Sequence, residues 1–307
     1  MYHYVRCNKK EGTPQLHSLD IEKFKQQLDW LESEFELLTY DELLFLQKNK
    51  KPVGKNRYLL TFDDGLMDHY RYVYPELKKR NLEGLFFLNS QPYIEKRPLD
   101  VHMTHFISEK IGPHHFFNEA VEILKRENVS LESHHSTDRY IYDTESYLKL
   151  KKMMNYQLDY SFREKMLEEI FLKYFDDFQS FIGGIYLSQK NIHEMAEGGM
   201  IFGNHTHSHK VLSRLSVEEQ KNEIDKCQDF LSSLISQKNI PFCYPYGHDF
   251  TYTEDTKRII TNRGINIAFV NVKGTMKLEV DHGLELKRYN TNELPPLKTF
   301  EEKELVI

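Results

Sequence analysis

The order of short apolar runs and helical patterns constrains the fold of this chain more than any other feature. Short apolar runs bounded by turn-forming residues are typical of buried strands, and apolar residues spaced three and four apart are typical of helices. Runs that fit a strand occupy residues 2–6, 58–62, 84–88, 200–202, 241–244 and 265–270. Helical patterns lie between most of them. Because parallel strands need such crossovers, this order predicts an α/β fold built on a parallel sheet.

Residues that favour helix starts precede several of the predicted helices. Ser18 precedes apolar residues at helical spacing, and Thr39 followed by Glu42 fits a capping box. Pro75 must lie near the start of the helix predicted at 68–81, or kink it. Further helices are predicted at 188–197, 216–234 and 253–262.

Residues 97–190 differ from the rest of the chain because long helical patterns dominate there, with almost no glycine or proline. Two of these patterns run from Phe117 to Leu124 and from Tyr160 to Phe178. We interpret the stretch as a helical insertion in a single domain that spans residues 1–307. Such an insertion is expected to cover the pocket of the domain or to form a dimer contact. Its histidine pairs are predicted to be solvent-exposed: His114-His115 and His134-His135.

Composition disfavours several classes of protein. The net charge of −6 and the isoelectric point near 6.2 disfavour nonspecific binding of nucleic acid, which requires a basic surface. The three cysteines are odd in number and far apart, so neither a disulfide framework nor a thiolate zinc site is expected. No apolar run reaches the roughly 18 residues that cross a membrane, and the first residues lack the pattern of a secretory signal. We therefore expect a cytoplasmic protein.

Two adjacent carboxylates, Asp63 and Asp64, follow the predicted strand at 58–62 and precede Gly65. Like charges this close repel each other in a low-dielectric pocket, and a cation bound to one carboxylate removes that cost. The other carboxylate is then available as a base. Gly65 allows the sharp turn that directs both side chains into one cavity. The alternative is an ordinary Asp-Asp-Gly turn in a loop.

Three histidines, His205, His207 and His209, occur within five residues directly after the predicted strand at 200–202. On a helical turn, residues four apart lie on one face, so His205 and His209 are expected to share a metal ion while His207 points elsewhere. With one carboxylate they form a set that leaves coordination positions open, as hydrolytic zinc sites require. The alternative is a solvent-facing polar loop.

A third segment, Phe242 to Gly247, continues a predicted strand into a Pro-Tyr-Gly turn. Such a turn can direct a backbone N–H into a pocket, as an oxyanion donor must be directed. The alternative is a tight turn with buried aromatic side chains. Because all three segments follow strands of a parallel α/β pattern, we expect them to meet at one rim of the fold.

These segments resemble the motifs of the polysaccharide deacetylases, also called the NodB-homology family or carbohydrate esterase family 4. Thr61 to Gly65 is similar to their TFDDG motif, His205-Thr206-x-x-His209 to their H-[S/T]-x-x-H motif, and Tyr244 to Gly247 to the YPYG version of their third motif. The resemblance covers about residues 1–95 and 190–292. It implies an α/β fold that is a distorted (β/α)7 barrel of the NodB-homology type, with a helical insertion.

The resemblance also implies a role for each matched residue. Asp64, His205 and His209 would hold a divalent metal, with Zn²⁺ expected and Co²⁺, Ni²⁺ or Mn²⁺ as alternatives. Asp63 would be the base, and the backbone N–H of Tyr246 would join the metal in holding the oxyanion.

Two features depart from the family pattern. Many members have an arginine at the start of the third motif, where it orients the base, but this chain has Phe242 and Cys243 there. Arg288 is expected to take that role from another strand, and the alternative is a surface charge. The general-acid histidine has no clear match. His3, which ends the first strand, is a candidate for acid or substrate contact, with core packing as the alternative, and His282 fits the family context poorly.

The resemblance therefore implies a hydrolase that removes the acetyl group from an N-acetylated amino sugar. Because no secretory signal is visible, a nucleotide- or lipid-linked precursor of a surface polysaccharide is the expected substrate. A deacetylase of chitin- or peptidoglycan-type polymers and a deformylase of a lipid-linked amino sugar are the alternatives. A non-catalytic carbohydrate-binding protein on the same fold is the alternative of another class, and the complete set of metal and base residues argues against it.

Overall fold

The structure is a computed structural model that describes residues 1–7, 18–131, 145–278 and 283–298. These residues divide into two compact units. Unit 1 contains the described residues up to 94 and from 183 onward, and unit 2 contains those from 95 to 182. The boundaries of unit 2 lie close to those predicted for the helical insertion, while the assignment of the whole chain to a single domain stays a prediction. Three histidines considered above lie outside the described residues: His134, His135 and His282.

Outside unit 2 the strands and helices largely alternate, as the sequence predicts. The short strands Leu19–Asp20 and Glu36–Leu37 were not predicted, and the run predicted as one strand at 58–62 is divided between two sheets. The strands are β1 (Val5–Arg6), β2 (Leu19–Asp20), β3 (Glu36–Leu37), β4 (Arg57–Tyr58), β5 (Leu60–Phe62), β6 (Gly84–Leu88), β7 (Ile201–Asn204), β8 (Phe242–Cys243) and β9 (Ala268–Phe269). The helices are α1 (Ile21–Glu34), α2 (Tyr40–Lys48), α3 (Tyr74–Arg80), α4 (Gln91–Ile94), α5 (Asp100–Ile111), α6 (Pro113–Arg126), α7 (Glu145–Lys152), α8 (Tyr160–Tyr174), α9 (Phe178–Ile185), α10 (Gln189–Glu197), α11 (Val217–Leu234) and α12 (Glu254–Asn262).

The main sheet of unit 1 is parallel and has the strand order β5-β6-β7-β8-β9, so each crossover moves one place along the sheet. Single parallel bridges extend it at both edges. Tyr2 pairs with Phe62 beside β5, and Leu286 pairs with Phe269 beside β9. Within the described residues, the five strands and the two bridged segments make seven parallel segments. They curl into a half-barrel, which agrees with the predicted (β/α)7 arrangement.

Both faces of this sheet are buried, which explains why its strands read as continuous apolar runs. In β6, Phe86 and Leu88 pack into one apolar cluster with Phe62, whereas Leu85 and Phe87 pack into another. The rings of Phe62 and Phe86 stack with centroids 4.7 Å apart. Removing such a buried ring costs about 3–5 kcal/mol. A shift of one residue in the pairing would move each ring to the opposite face, so the packing of these side chains sets the register of the sheet.

Helix starts follow the capping residues of the sequence in most cases. Thr39 caps α2 by accepting a hydrogen bond from the Glu42 N–H, but the Glu42 carboxylate binds Arg57 and does not close the predicted capping box. The helix predicted after Ser18 is capped by Asp20. The capping boxes at the starts of α10, α11 and α12 are complete.

Two predicted helices are interrupted. Residues 68–81 begin with a π-helix, His69–Val73, before α3, and Pro75 lies in the first turn of α3, where its missing N–H costs nothing. The helix predicted from Tyr160 to Phe178 ends at Tyr174. Asp177 accepts a hydrogen bond from the Ser180 N–H and so starts a new helix, α9.

Unit 2 has its own apolar core, formed where α5 to α8 pack around Leu150, Met153 and Ile170. An ionic cluster is buried beside it. The carboxylate of Asp100 accepts hydrogen bonds from Arg163, at 2.6 and 2.8 Å, and pairs with Arg97 at 2.6 Å. The predicted exposure of His114 and His115 is confirmed. Across the described residues, no helix is both long and apolar enough to cross a membrane.

Candidate active site

The Asp-Asp-Gly segment forms a buried turn at the carboxyl end of β5. Asp64 and Gly65 have backbone φ angles of 76° and 62°, so the chain turns sharply as predicted. A Cβ atom at Gly65 would lie 2.5 Å from Leu88 Cδ2, and glycine is therefore required there for space as well as for conformation. Asp63 and Asp64 are only 2% and 5% exposed. Burial of two neighbouring carboxylates is costly unless positive groups face them.

The segment from His205 to His209 follows β7 but is not helical, so the predicted helical turn is wrong. Thr206 and His209 have φ angles of 68° and 58°. Side chains bind the backbone amides that a helix would use: Asn204 accepts from the Thr206 N–H, and Thr206 Oγ1 accepts from the His209 N–H. The alternative of a solvent-facing loop is also wrong, since the whole segment is buried. His207 points elsewhere, as predicted, with Nδ1 2.8 Å from Ser90 Oγ.

Asp64, His205 and His209 form a triangle of possible metal ligands. Asp64 Oδ1 lies 3.5 Å from His205 Nε2 and 3.7 Å from His209 Nε2. Four ligands at about 2.1 Å from a tetrahedral zinc ion stand about 3.4 Å apart, which is close to this spacing. His205 Nδ1 lies 2.7 Å from the carbonyl oxygen of Cys243, which fixes the proton on Nδ1 and presents Nε2 to the triangle. The residues present therefore fit a divalent metal.

The charges around His205 also favour a cation. Burial disfavours the charged imidazole, but Cys243, Asp64 and Asp63 together raise the pKa of His205 well above its usual value. A pocket that stabilises an imidazolium in this way stabilises any cation that replaces the proton.

A second triangle of possible ligands consists of Asp63, His205 and Cys243, and it shares His205 with the first. The Arg288 guanidinium contacts two of its members, at 2.9 Å from the Asp63 carboxylate and 3.1 Å from Cys243 Sγ. A fixed positive charge against two of three ligands repels a metal ion, so the triangle around Asp64 is the better cation site. The presence of Cys243 here was not expected from the spacing of the cysteines.

Asp63 is held by Arg288 through two parallel hydrogen bonds of 2.9 Å, one to each carboxylate oxygen. Arg288 Nη1 also donates to Thr61 Oγ1, and its Nε donates to the carbonyl oxygen of Val270. Arg288 is 7% exposed, so the alternative of a surface charge is wrong. Burial raises the pKa of the Asp63 carboxyl, but the charges of Arg288, His205 and His3 outweigh it and hold that pKa well below its usual range.

His3 lies beside the same carboxylate, with Nε2 3.9 Å from Asp63 Oδ2. Its side chain is 41% exposed, so solvent reaches the ring and the alternative of core packing is wrong. The carbonyl oxygen of His3 accepts a hydrogen bond of 2.9 Å from His69 Nε2. Burial lowers the pKa of His69 to about 4, so this ring is neutral and donates. Sequence reasoning gave His69 no role, and its position four residues after the end of the TFDDG-like segment was the only signal.

The Pro-Tyr-Gly turn after β8 lies next to the histidine segment. The ring centroids of Tyr246 and His209 are 4.9 Å apart. Tyr246 and Gly247 both have positive φ angles, and the Gly247 carbonyl oxygen accepts from the Asn271 N–H at 2.8 Å. Tyr244 is buried before the turn and stacks on Tyr252. The segment is therefore also a tight turn with a buried aromatic side chain, as the alternative interpretation expected. All three segments therefore meet at one rim of unit 1.

Fold and site together define a class of α/β protein in which carboxylates and imidazoles meet at the carboxyl ends of the strands of a parallel half-barrel. This chain belongs to the polysaccharide deacetylase family, which its residues 50–268 match. Members of this family are hydrolases that act on amide bonds.

Comparisons with individual proteins agree with this membership. The putative polysaccharide deacetylase YxkH of Bacillus subtilis is 29% identical over 137 residues, which cover 44% of this chain and 40% of the Bacillus protein. The deacetylase PplD of Streptococcus pyogenes, solved in complex with acetate, has a similar fold, with a TM-score of 0.56, 19% identity and coverage of 94% of this chain and 88% of PplD. IcaB from Ammonifex degensii has a TM-score of 0.53 at 18% identity, covering 95% of this chain and 93% of IcaB.

Proposed function

We propose that this protein is a metal-dependent N-deacetylase that hydrolyses the acetamide group of an amino sugar. The observation that carries the proposal is the triangle of Asp64, His205 and His209 directly beside Asp63, whose carboxylate is fixed by Arg288. A cation site and a positioned base next to each other are the two components that metal-assisted amide hydrolysis requires.

Asp64, His205 and His209 would hold the metal, with Zn²⁺ expected because imidazole and carboxylate ligands suit it. When bound, it supplies Lewis acidity for the acyl carbonyl and lowers the pKa of water toward about 7. Asp63 accepts the proton of the attacking water. Because both of its oxygens are held by Arg288, the carboxylate stays ionised and keeps one orientation as it does so.

The remaining proposed roles concern charge and proton movement in the substrate. The Tyr246 N–H would donate a hydrogen bond to the carbonyl oxygen as negative charge develops on it. His3, whose ring reaches both solvent and Asp63, would deliver a proton to the departing amine or contact the sugar. The products are acetate and the free amino sugar.

The base assignment is tested by Asp63→Asn, with metal content and acetate release measured on the same preparations. We expect kcat to fall by about 10²–10⁴-fold, the usual contribution of general base catalysis, while bound zinc stays at the wild-type level. Asp29→Asn, at an exposed carboxylate of α1, is the matched control and should leave both unchanged. Equal acetate release by wild type and Asp63→Asn would show that Asp63 is not the base.

For the substrate, we propose an N-acetylated amino sugar linked to a nucleotide or a lipid, as expected from the sequence. Acetate release from a sugar nucleotide, a lipid-linked sugar, a chitin oligomer and peptidoglycan compares the possible carriers directly. A higher kcat/KM for either polymer would replace this part of the proposal with the polymer deacetylase. Formate release from an N-formyl amino sugar in place of acetate would replace it with the deformylase.

A further inference from the structure

We propose that unit 1 contains a second binding site, for an amphipathic anion with an aliphatic chain and a phosphate or carboxylate head. The site is a cavity with a volume of about 440 Å³, here called the seam cavity. It is lined by residues from α1, from the segment 53–61 and from the segment 287–289, which lie at the two edges of the curled sheet. Its volume lies within the range of about 300–1,000 Å³ that is usual for small-molecule sites.

Apolar side chains form most of the wall of the seam cavity. Trp30, Leu31 and Phe35 line it from α1 and the residues just after it, and Val53 and Met276 line it from two loops. A largely apolar cavity of this size favours a hydrocarbon group, because burial of each methylene contributes about 0.8 kcal/mol.

The charges around the seam cavity have one sign. None of the described residues that line it is acidic, although the chain as a whole has a net charge of −6. Arg57 and Arg288 are paired with carboxylates outside the lining, whereas Lys55 and Lys287 are exposed and form no ion pair within the described part of the chain. An apolar cavity bordered by two unpaired ammonium groups complements an anionic head group on an apolar chain.

The seam cavity also shares residues with the candidate active site. Thr61 and Arg288 line the cavity, and Arg288 Nη1 donates to both Thr61 Oγ1 and Asp63 Oδ1. An occupant of the cavity therefore contacts the side chain that fixes Asp63, and we infer that it changes the deacetylation rate. This coupling rests on the proposed function, whereas the binding site itself does not.

Binding is measured directly because Trp30, the only tryptophan of the chain, lines the seam cavity. Decyl phosphate and decanoate are titrated into the full-length protein below their micellar concentrations, and decanol below its solubility limit, with tryptophan fluorescence as the readout. We expect a saturable change at one equivalent for both anions and binding about tenfold weaker for decanol, because two charge contacts of ordinary strength give about one order of magnitude. The two anions distinguish a phosphate from a carboxylate head.

The matched variants are Lys55→Glu/Lys287→Glu, which reverses the charges at the cavity, and Lys23→Glu, which reverses an exposed charge of α1 outside its lining. The double variant should bind both anions at least about tenfold more weakly than wild type, and Lys23→Glu should bind like wild type. The absence of a saturable signal, or equal affinity in the double variant, would overturn the binding site.

The coupling is tested separately, by acetate release with and without a saturating anion. A change of at least twofold in kcat for wild type, absent in the double variant, supports it. Binding with no change in rate overturns the coupling alone, and the result of the fluorescence titration does not depend on whether the protein is a deacetylase.

Discussion

Units 1 and 2 each bury carboxylates, but they neutralise them differently. In unit 2, Asp100 is paired with two arginines, Arg97 and Arg163, so its charge is balanced by the protein itself. In unit 1, Asp63 has an arginine partner, whereas Asp64 faces the imidazoles of two histidines. A carboxylate enclosed by two guanidinium groups needs no further positive charge, whereas a carboxylate facing imidazole nitrogens at ligand spacing is suited to a cation from solution.

The largest effect is expected from Asp64→Asn, which removes one ligand of the proposed metal. Loss of a metal that contributes several kcal/mol to transition-state stabilisation should lower kcat/KM by at least about 10³-fold. Wild type should gain thermal stability on addition of zinc, since a ligand that binds only the folded state stabilises it, and the variant should not. Metal content and the melting temperature with and without zinc check this. A variant that keeps full zinc content would remove Asp64 from the site.

In unit 2 the corresponding change affects stability alone. Arg163→Met leaves the buried Asp100 with one partner and should lower the free energy of unfolding by about 3–5 kcal/mol, the usual cost of breaking a buried ion pair. Urea unfolding measures it, and the zinc content of the folded protein should be unchanged. Arg126→Met, which breaks an exposed pair with Glu169, is the control and should cost less than about 1 kcal/mol. Equal costs for the two variants would contradict the comparison.

A smaller effect is expected from Arg288→Lys, because lysine keeps the charge but cannot form the two parallel hydrogen bonds to Asp63. We expect kcat to fall by about 10–100-fold with KM unchanged, since Asp63 loses its orientation and no substrate contact is removed. Arg263→Lys, at an arginine that pairs with Asp225 near the surface, is the matched control. A rise in KM at constant kcat would assign Arg288 to substrate binding.

The smallest effect concerns the pH dependence of stability in unit 2. Burial raises the pKa of the Asp100 carboxyl, but Arg163 and Arg97 outweigh it, and the net pKa is lowered. The stabilisation is therefore present above the unfolded pKa of about 3.9 and is lost as the pH falls through the folded pKa. The difference in unfolding free energy between wild type and Asp100→Asn should be constant above about pH 5 and shrink below about pH 4. Asp176→Asn, at an exposed residue, should show no such change.

Sequence reasoning located the strands of the main sheet and most of the helices, and it predicted that the three segments meet at one rim, because these features depend on local patterns and on the geometry of parallel sheets. It missed the two-residue strands β2 and β3, which are too short to show a pattern. The conformation of the His205–His209 segment was not predictable from spacing alone. Histidines four apart fit a helix, but the side chains of Asn204 and Thr206 bind the amides that the helix would need. Competition between local hydrogen bonds is decided by three-dimensional context, which a spacing rule does not include.

Contacts between residues distant in sequence were the hardest to predict. Arg288 was expected to reach Asp63 only because the residues at the start of the third motif, Phe242 and Cys243, left the base without a partner. The hydrogen bond from His69 to His3 and the buried pair of Arg6 and Asp68 were not predicted, since each joins the first residues of the chain to residues that follow the Asp-Asp-Gly turn. Such pairs leave no periodic pattern in the sequence.

X-ray absorption spectroscopy of the zinc-loaded protein distinguishes most directly between the two ligand triangles that share His205. Coordination by Asp64, His205 and His209 predicts only nitrogen and oxygen neighbours, at about 2.0–2.2 Å from the zinc. A sulfur neighbour at about 2.3 Å would place the ion on Asp63, His205 and Cys243 and would contradict the assignment of Asp63 as the base.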